Sequence, residues 1–273
     1  MKDMNKHIWP TKYNVFGIGV SATNYKEMAE VVFKAAHDRR SSCVSHLAVH
    51  GHVVASKDKK FKSMLNEFEI IAPDGQPVRY ALKFLYKVML PDRCYGPEFM
   101  MRVCQHAEKE KIGVYLYGSY QHIVSNLQKN LITRFPKLNV VGWEPSVFRP
   151  LTRREDEDLV ERINKSGPGI VFIGLGCPLQ EKFAFEHKNK IKAVQICVGA
   201  AFDFHSGEKK MAPKWMQRCS LEWLFRLLCE PKRLWKRYLV TNTNFLLSLF
   251  LQKTEIKKYK SEEGFSELRG SGI

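Results

Sequence analysis

The sequence contains no long apolar run: no segment reaches the roughly 20 apolar residues that a membrane-spanning helix needs. The nearest candidate, Phe245 to Leu251, is far too short. The first ten residues are polar and lack an apolar core, so we expect no signal peptide. The seven cysteines form no Cys-x-x-Cys pair, and neither a zinc site nor a disulfide framework is indicated. These absences favour a protein of the reducing cytoplasm.

The composition is strongly basic. With 44 Lys and Arg against 28 Asp and Glu, the formal charge is +16 at pH 7. Such an excess predicts an anionic partner, which could be nucleic acid, an anionic membrane or a phosphorylated substrate. The 273 residues suffice for one large α/β domain with an appendage, or for two small domains.

Short apolar runs alternate along the chain with amphipathic stretches. The runs are Val15 to Val20, Cys43 to Val49, Glu69 to Ala72, Gly113 to Tyr117, Asn139 to Val141, Ile170 to Ile173 and Ala193 to Val198. The amphipathic stretches include Tyr25 to Asp38, Glu98 to Lys111, Gln121 to Phe135 and Glu155 to Asn164. This alternation predicts an α/β fold with a Rossmann-like, largely parallel sheet and helices on both faces. Ligands of such folds bind at the carboxyl ends of the strands.

The strand pattern stops after about Gly207, where the composition changes. We predict a Rossmann-like domain over residues 1–207, a basic, aromatic, helical appendage over 208–260 and a disordered tail over 261–273. Within the appendage, we expect Pro231 to split the helical segment into two helices.

Three arginines of the appendage are candidate phosphate ligands. Arg226, Arg233 and Arg237 are offset by seven and eleven positions, so a continuous helix would place them on one face. Guanidinium groups recognise phosphate well, although a solvated basic face explains the spacing equally. With the aromatic residues that lie between these charges, the segment resembles a helix that binds at a membrane interface. The alternative for Trp215 and Trp223 is ordinary packing in the core.

A glycine turn follows one of the apolar runs and precedes a helical pattern. Its glycines, Gly174 and Gly176, allow the close approach of a bound group. The helix that Pro178 opens offers free N–H groups to an anion such as a nucleotide diphosphate. In the first helical turn, Gln180 and Glu181 could hydrogen-bond the hydroxyls of a sugar. The alternative is a plain strand-to-helix connection in which Glu181 serves the helix dipole.

Polar residues follow three other predicted strands. Asp74 is well placed to take a proton from an acceptor hydroxyl, or it only forms a common Asp-Gly turn. Gly118 begins a turn that could contact a base or ribose, with helix capping by Ser119 as the alternative. After the last strand, Asp203 and His205 are candidate site groups, and Asp203 could equally only satisfy backbone donors.

Several blocks together resemble the WecG/TagA/CpsF family, glycosyltransferase family 26. The blocks are Pro73 to Pro77, Tyr95 to Glu98, Gly174 to Lys182, Val198 to Phe204, Ala212 to Gln217, Leu221 to Arg226 and Glu230 to Tyr238, and the resemblance runs from about Asn14 to Phe250. It implies a cytoplasmic enzyme, peripheral on the inner face of the plasma membrane. Such an enzyme moves a sugar from a UDP-sugar to a polyprenyl-diphosphate-linked saccharide with inversion, in the synthesis of exopolysaccharide, cell-surface polysaccharide or teichoic acid.

The resemblance also implies roles for individual residues. Asp74 matches the proposed catalytic base, and Gln180 matches a glutamine near the donor sugar. Arg226, Arg233 and Arg237 match arginines that close over the site and neutralise the diphosphate, on an appendage that also docks to an anionic membrane. The family is generally thought to need no metal or other cofactor. In agreement, no Asp-x-Asp pair stands where a diphosphate-bound metal would be expected.

One further candidate and two departures complete the comparison. Arg93, just before the Tyr-Gly-Pro-Glu block, could bind a phosphate or a sugar hydroxyl. Many relatives carry a Thr-x-Asn element where this chain reads Ser45 to Gly51, and His50 is a candidate for replacing it. Ser220 stands where glycine is usual, which could alter the turn into the last helices.

The donor sugar stays open among N-acetylmannosamine, its uronic acid and glucose, as do the acceptor glycan and a possible homo-oligomer. Two other functions are alternatives. A nucleic-acid-binding α/β protein would explain the charge but would leave Asp74 and Gln180 without a role, so we expect no nucleic-acid partner. A noncatalytic nucleotide-sugar-binding protein would keep the pocket and show no turnover.

Overall fold

The computed structural model describes residues 9–219 and 221–260, and of Arg218 it describes the backbone alone. The predicted disordered tail over 261–273 and the departure at Ser220 lie outside the described residues.

The described chain begins with a two-stranded antiparallel hairpin, β1 (Lys12–Val15) and β2 (Ile18–Ser21). The prediction of one strand over Val15 to Val20 is therefore wrong. Phe16 and Gly17 both adopt a positive φ, 59° and 87°, and form the two-residue turn between the strands. Residues other than glycine rarely take this conformation, so the apolar Phe16 concealed the turn.

A six-stranded sheet forms the centre of the protein. Its strands are β3 (Ser42–Leu47), β4 (Ile70–Pro73), β5 (Val114–Gly118), β6 (Val140–Glu144), β7 (Ile170–Gly174) and β8 (Val194–Cys197). They are all parallel, in the order β4-β3-β8-β7-β5-β6. The helices that cover the sheet are α1 (Tyr25–His37), α2 (Val49–Lys57), α3 (Lys59–Asn66), α4 (Gln76–Tyr86), α5 (Gly96–Glu110), α6 (Gln121–Arg134), α7 (Arg153–Ser166), α8 (Leu179–Glu186) and α9 (Ala201–His205).

Two apolar cores lie on the two faces of this sheet. Successive side chains of a strand point to opposite faces, so in β7 Ile170 and Phe172 enter one core, whereas Val171 and Ile173 enter the other. Helices α1, α5, α6 and α9 complete the first core, and α3, α4, α7 and α8 complete the second with the hairpin. The predicted α/β fold, with a largely parallel sheet covered on both faces, is confirmed.

The C-terminal segment forms three helices, α10 (Lys214–Arg218), α11 (Glu222–Cys229) and α12 (Pro231–Lys253). Pro231 begins α12, so the predicted break is confirmed. Core packing, the alternative for Trp215 and Trp223, is wrong, because their side chains are 61% and 48% exposed.

Helix α12 lies along α2 and returns to the hairpin. The Phe245 ring is buried and packs edge-on against Phe16, with 5.0 Å between the ring centroids. The Gln252 amide donates to the Asn14 carbonyl at 2.8 Å and accepts from the Phe16 N–H at 3.0 Å. The far end of the appendage is thus fixed to the body. Across the described ranges, we find no helix that combines the length and the apolarity needed to cross a membrane.

Candidate active site

Two cavities meet at the carboxyl ends of the strands. The first, the polar cleft, has a volume of about 390 Å³, with the turn after β7 as its floor and α11 and α12 as its roof. The second, the side chamber, has a volume of about 270 Å³ and lies between the start of α4 and the same two helices. Six residues line both cavities: Ala48, His50, Asp74, Tyr95, Arg226 and Arg237.

Asp74 directly follows β4 and stands at the junction of the two cavities. Burial raises its pKa to about 7, against the opposing charge of Arg93, while Glu222 adds to the rise and Arg226 opposes it. A carboxylate with this pKa accepts a proton more readily than an ordinary aspartate and is still partly ionised at neutral pH. Its position and its pKa both suit a general base.

Arg93 and Glu222 form a buried ion pair beside Asp74. The Arg93 Nη2 donates to Glu222 Oε2 at 2.5 Å, and the two side chains are 13% and 9% exposed. The guanidinium also lies over the Tyr95 ring, 4.4 Å from its centroid. Arg93, which we predicted to bind a phosphate or a sugar hydroxyl, therefore lines the side chamber, but part of its guanidinium is already bound to Glu222. Sequence reasoning missed Glu222, although an acidic residue in a basic segment was a signal.

The glycine turn closes the floor of the polar cleft. Gly174 and Gly176 line it, and Gly176 adopts a φ of 77° with open space where a side chain would be. Pro178 precedes the first helical residue by one position, so it caps α8 where we expected it to open the helix. Gly118 does not line the cleft. A Cβ there would lie 2.8 Å from the Gly174 backbone, so Gly118 lets β5 and β7 end side by side.

Gln180 and Glu181 lie at different depths relative to the floor of the polar cleft. Gln180 lines the cleft, and its Nε2 donates to Glu181 Oε1 at 2.8 Å. The Glu181 side chain is fully buried below the cleft floor, where Ser45 Oγ also donates to Oε1 at 2.8 Å. Burial raises the pKa of Glu181. Of the two predicted sugar ligands, only Gln180 reaches the cleft, and Glu181 orients its carboxamide.

The three arginines come together although they do not share one helix. The premise of a continuous helix is wrong, because the break before Pro231 puts Arg226 on α11 and leaves Arg233 and Arg237 on α12. All three still line the polar cleft, since the two helices pack against each other. Burial, and after it the charge of Arg233, lowers the pKa of Arg237. Like charges held this close are suited to an anion.

Of the polar residues that follow β8 and β5, Asp203 and Ser119 line the cleft, whereas His205 does not. Asp203 lines the cleft and forms an ion pair with Lys209 at 2.8 Å. His205 lies outside the cleft, and its Nε2 is 2.9 Å from the Pro97 carbonyl. Ser119 lines the cleft, and the alternative that it caps α6 is wrong, because Tyr120 occupies the cap position without a side-chain hydrogen bond.

The segment that departs from the Thr-x-Asn element contributes two histidines to the cleft. His46 is buried, its Nδ1 lies 3.3 Å from the Cys197 carbonyl, and burial lowers its pKa to about 4. The ring is therefore neutral at physiological pH, and its Nε2 has no hydrogen-bond partner among the described residues. His50, the candidate for replacing that element, lines both cavities. Sequence reasoning missed His46, because nothing in its spacing distinguishes it from a core histidine.

Comparisons with known proteins identify the family of this chain. The sequence matches the model of the Glycosyl transferase WecG/TagA/CpsF family over residues 13–259. N-acetylglucosaminyldiphosphoundecaprenol N-acetyl-beta-D-mannosaminyltransferase of Bacillus subtilis (strain 168) is 33% identical over 187 residues, which cover 68% of this chain and 70% of that protein. The protein of the same name from Staphylococcus aureus (strain NCTC 8325 / PS 47) is 26% identical over 252 residues, covering 91% and 96% of the two chains. The chain belongs to the WecG/TagA/CpsF family and is a glycosyltransferase.

Proposed function

We propose that the chain transfers a sugar from a UDP-sugar to a polyprenyl-diphosphate-linked saccharide, with inversion at the anomeric carbon. The observation that carries this proposal is the position of Asp74 at the junction of the arginine-roofed cleft and the side chamber. One carboxylate there faces the bound donor on one side and the acceptor on the other. The name of the two relatives, a transferase acting on a lipid-linked diphosphate sugar, supports the same acceptor class.

The chemistry divides between the two cavities. The acceptor hydroxyl in the side chamber attacks the anomeric carbon from the face opposite the UDP oxygen, and Asp74 takes the hydroxyl proton. The bond to the UDP oxygen breaks, and the leaving diphosphate gains negative charge. Arg226, Arg233 and Arg237 stabilise that charge from the roof of the cleft.

The donor sugar lies on the cleft floor in this proposal. Gln180 Oε1 has no hydrogen-bond partner among the described residues and lies close to Gly199, whose missing side chain leaves room above it. With the neutral His46, it offers acceptors to sugar hydroxyls or an acetamido N–H. N-acetylmannosamine, its uronic acid and glucose are the donor classes, and the names of the relatives favour N-acetylmannosamine.

A membrane surface completes the proposal, because α12 carries an exposed apolar stripe. Trp235, Leu239, Leu246 and Phe250 are between 57% and 63% exposed. At about 100° per residue they fall within an arc of roughly 60° on the helix. Lysines flank this stripe in the sequence, as in helices that lie on anionic lipid. We place the enzyme on the inner face of the plasma membrane, bound through this stripe.

A donor screen tests the proposal. Purified protein is incubated with a lipid-diphosphate-linked sugar and a panel of UDP-sugars, and UDP release and the mass of the lipid product are measured together. We expect one donor to give both UDP and the matching mass increase. UDP binding without product over several acceptors would contradict the transferase proposal and favour a nucleotide-sugar-binding protein.

A further inference from the structure

The inference concerns Glu222 and rests on the proposed function. We propose that Glu222 is a positioning residue of the transfer reaction: it binds the Arg93 guanidinium and so keeps that cation from pairing with Asp74. The appendage would then contribute to proton transfer as well as to diphosphate binding.

The geometry around Asp74 supports this role. Arg93 lies on the connection between α4 and α5, and Glu222 is the first residue of α11, so their 2.5 Å ion pair joins the body to the appendage. Both line the side chamber together with Asp74. With 4.0 Å as the limit for an ion pair, Arg93 pairs with Glu222. Among the described residues, Asp74 forms no ion pair within that limit. The guanidinium next to the base is thus bound to a different carboxylate.

The consequence follows from elementary electrostatics. A guanidinium paired with a carboxylate favours its ionised form, which lowers its pKa and weakens it as a base. Arg93 lowers the pKa of Asp74, and Glu222 raises it. Removing the Glu222 charge would leave a buried arginine without its partner, and Asp74 is a second carboxylate whose charge acts on Arg93. Glu222 therefore protects the basicity of Asp74.

Other charged and titratable groups also surround Asp74, and none replaces Glu222. Those that share the side chamber with it, or act on it electrostatically, are Tyr25, His50, Arg93, Cys94, Tyr95, Glu222, Arg226, Arg237 and Tyr238. Among these residues Glu222 is the one carboxylate, and the other carboxylate of the polar cleft, Asp203, is paired with Lys209 at 2.8 Å. A variant at Glu222 therefore changes the balance of charge at Asp74 in one direction only.

Two substitutions with opposite expected effects test the inference. The transfer rate of the full chain is measured against pH for Glu222→Gln and Arg93→Gln. In Glu222→Gln, the pH at half-maximal rate should fall by about one unit, and the maximal rate should fall about tenfold, because Asp74 is a weaker base. In Arg93→Gln the same midpoint should rise, because the charge of Glu222 then acts on Asp74 without the opposing charge of Arg93. Glu222→Asp keeps the charge and should keep the wild-type midpoint.

Opposite shifts of the midpoint distinguish a positioning role of Glu222 from a purely structural one, in which the ion pair only holds the appendage against the body. Loss of a structural contact alone would lower the rate of both variants without moving the midpoint, and that result would overturn the inference. A control, Glu230→Gln, removes a 2.5 Å ion pair to Arg233 within the appendage and should leave the midpoint in place. Calorimetric UDP binding checks that each variant is folded. If Glu222→Gln does not fold, Arg93→Gln and Glu222→Asp still decide the question, and a wild-type protein without turnover would reject the proposed function instead.

Discussion

Replacing Asp74 with asparagine should remove the base and at the same time stabilise the fold. The change keeps the size of the side chain and substitutes a neutral amide for a carboxylate that burial penalises. We expect a loss of transfer of at least about 100-fold, the usual contribution of a general base, with UDP binding largely kept. The wild-type rate should rise about tenfold between pH 6 and pH 8, because the deprotonated form is active and the pKa is about 7.

The effect on stability follows from the same pKa. The folded pKa of about 7 lies above the ordinary value of 3.8, so the folded state holds this proton more tightly than the unfolded state. Wild-type stability is therefore lost as the pH rises from about 4 to about 7. At up to about 1.4 kcal/mol for each pH unit, the step from pH 5 to pH 7 lowers it by about 2 kcal/mol, and the step from pH 5 to pH 8 lowers it by about 3 kcal/mol. Asparagine does not titrate and should not show this loss.

Urea titrations at pH 5 and pH 8 measure the stability, and the donor assay across this range measures the rate. Relative to the wild type, Asp74→Asn should gain about 3 kcal/mol between the two pH values. Asp38→Asn, at an exposed position, is the control and should gain nothing. Wild-type turnover in Asp74→Asn would refute the base assignment. A stability difference that does not change with pH would refute the argument from burial.

Three other predictions concern separate parts of the molecule. Gly118→Ala should lower the free energy of unfolding by about 3 kcal/mol in urea titrations, because φ is +121° and a Cβ would lie 2.8 Å from the backbone of β7. Arg237→Gln should weaken UDP binding at least about tenfold in calorimetry, since it removes charge-assisted hydrogen bonds to the diphosphate. A Trp235→Ser, Leu246→Ser double variant should lose most binding to anionic vesicles in sedimentation while keeping UDP affinity, because it removes exposed apolar area alone.

Each of these predictions has a matched control. Gly207→Ala, at a φ of +87° with no atom within 4 Å, should cost only about 1 kcal/mol, so an equal cost at Gly118 would contradict the close-approach argument. Lys236→Gln removes a charge beside Arg237 and should not change UDP affinity. Ile132→Ser, at another exposed apolar position, should keep vesicle binding, and an equal loss would show that binding is not specific to α12.

The central sheet could be predicted because its strands are buried on both faces. Continuous apolar runs such as Ile170 to Ile173 are then the natural signal, and Gly118 and Gly174 mark where strands end. The hairpin was missed because Phe16 takes a conformation that sequence rules reserve for glycine. The local sequence pattern was thus enough to predict the strands wherever the residues followed common backbone preferences.

Only those site residues that belong to recognisable motifs could be predicted from the sequence. Asp74 and Gln180 stand in recognisable blocks and do line the cavities. Glu222 is bound to a partner 129 positions away, and no spacing in the sequence reports such a contact. The arginines show the opposite case: the helical-face argument for Arg226 and Arg233 was wrong, yet tertiary packing brings them to the same cleft.

The orientation of α12 has a consequence for the routes by which substrates arrive and leave. By helical geometry, Arg233 and Arg237 lie roughly 100° or more around the helix from the stripe that contains Leu246. If the stripe rests on a bilayer, the polar cleft opens away from the lipid. A water-soluble donor would enter from the aqueous side, and UDP would leave by the same path. The lipid-bound acceptor would be delivered along the membrane plane, so neither substrate would obstruct the other.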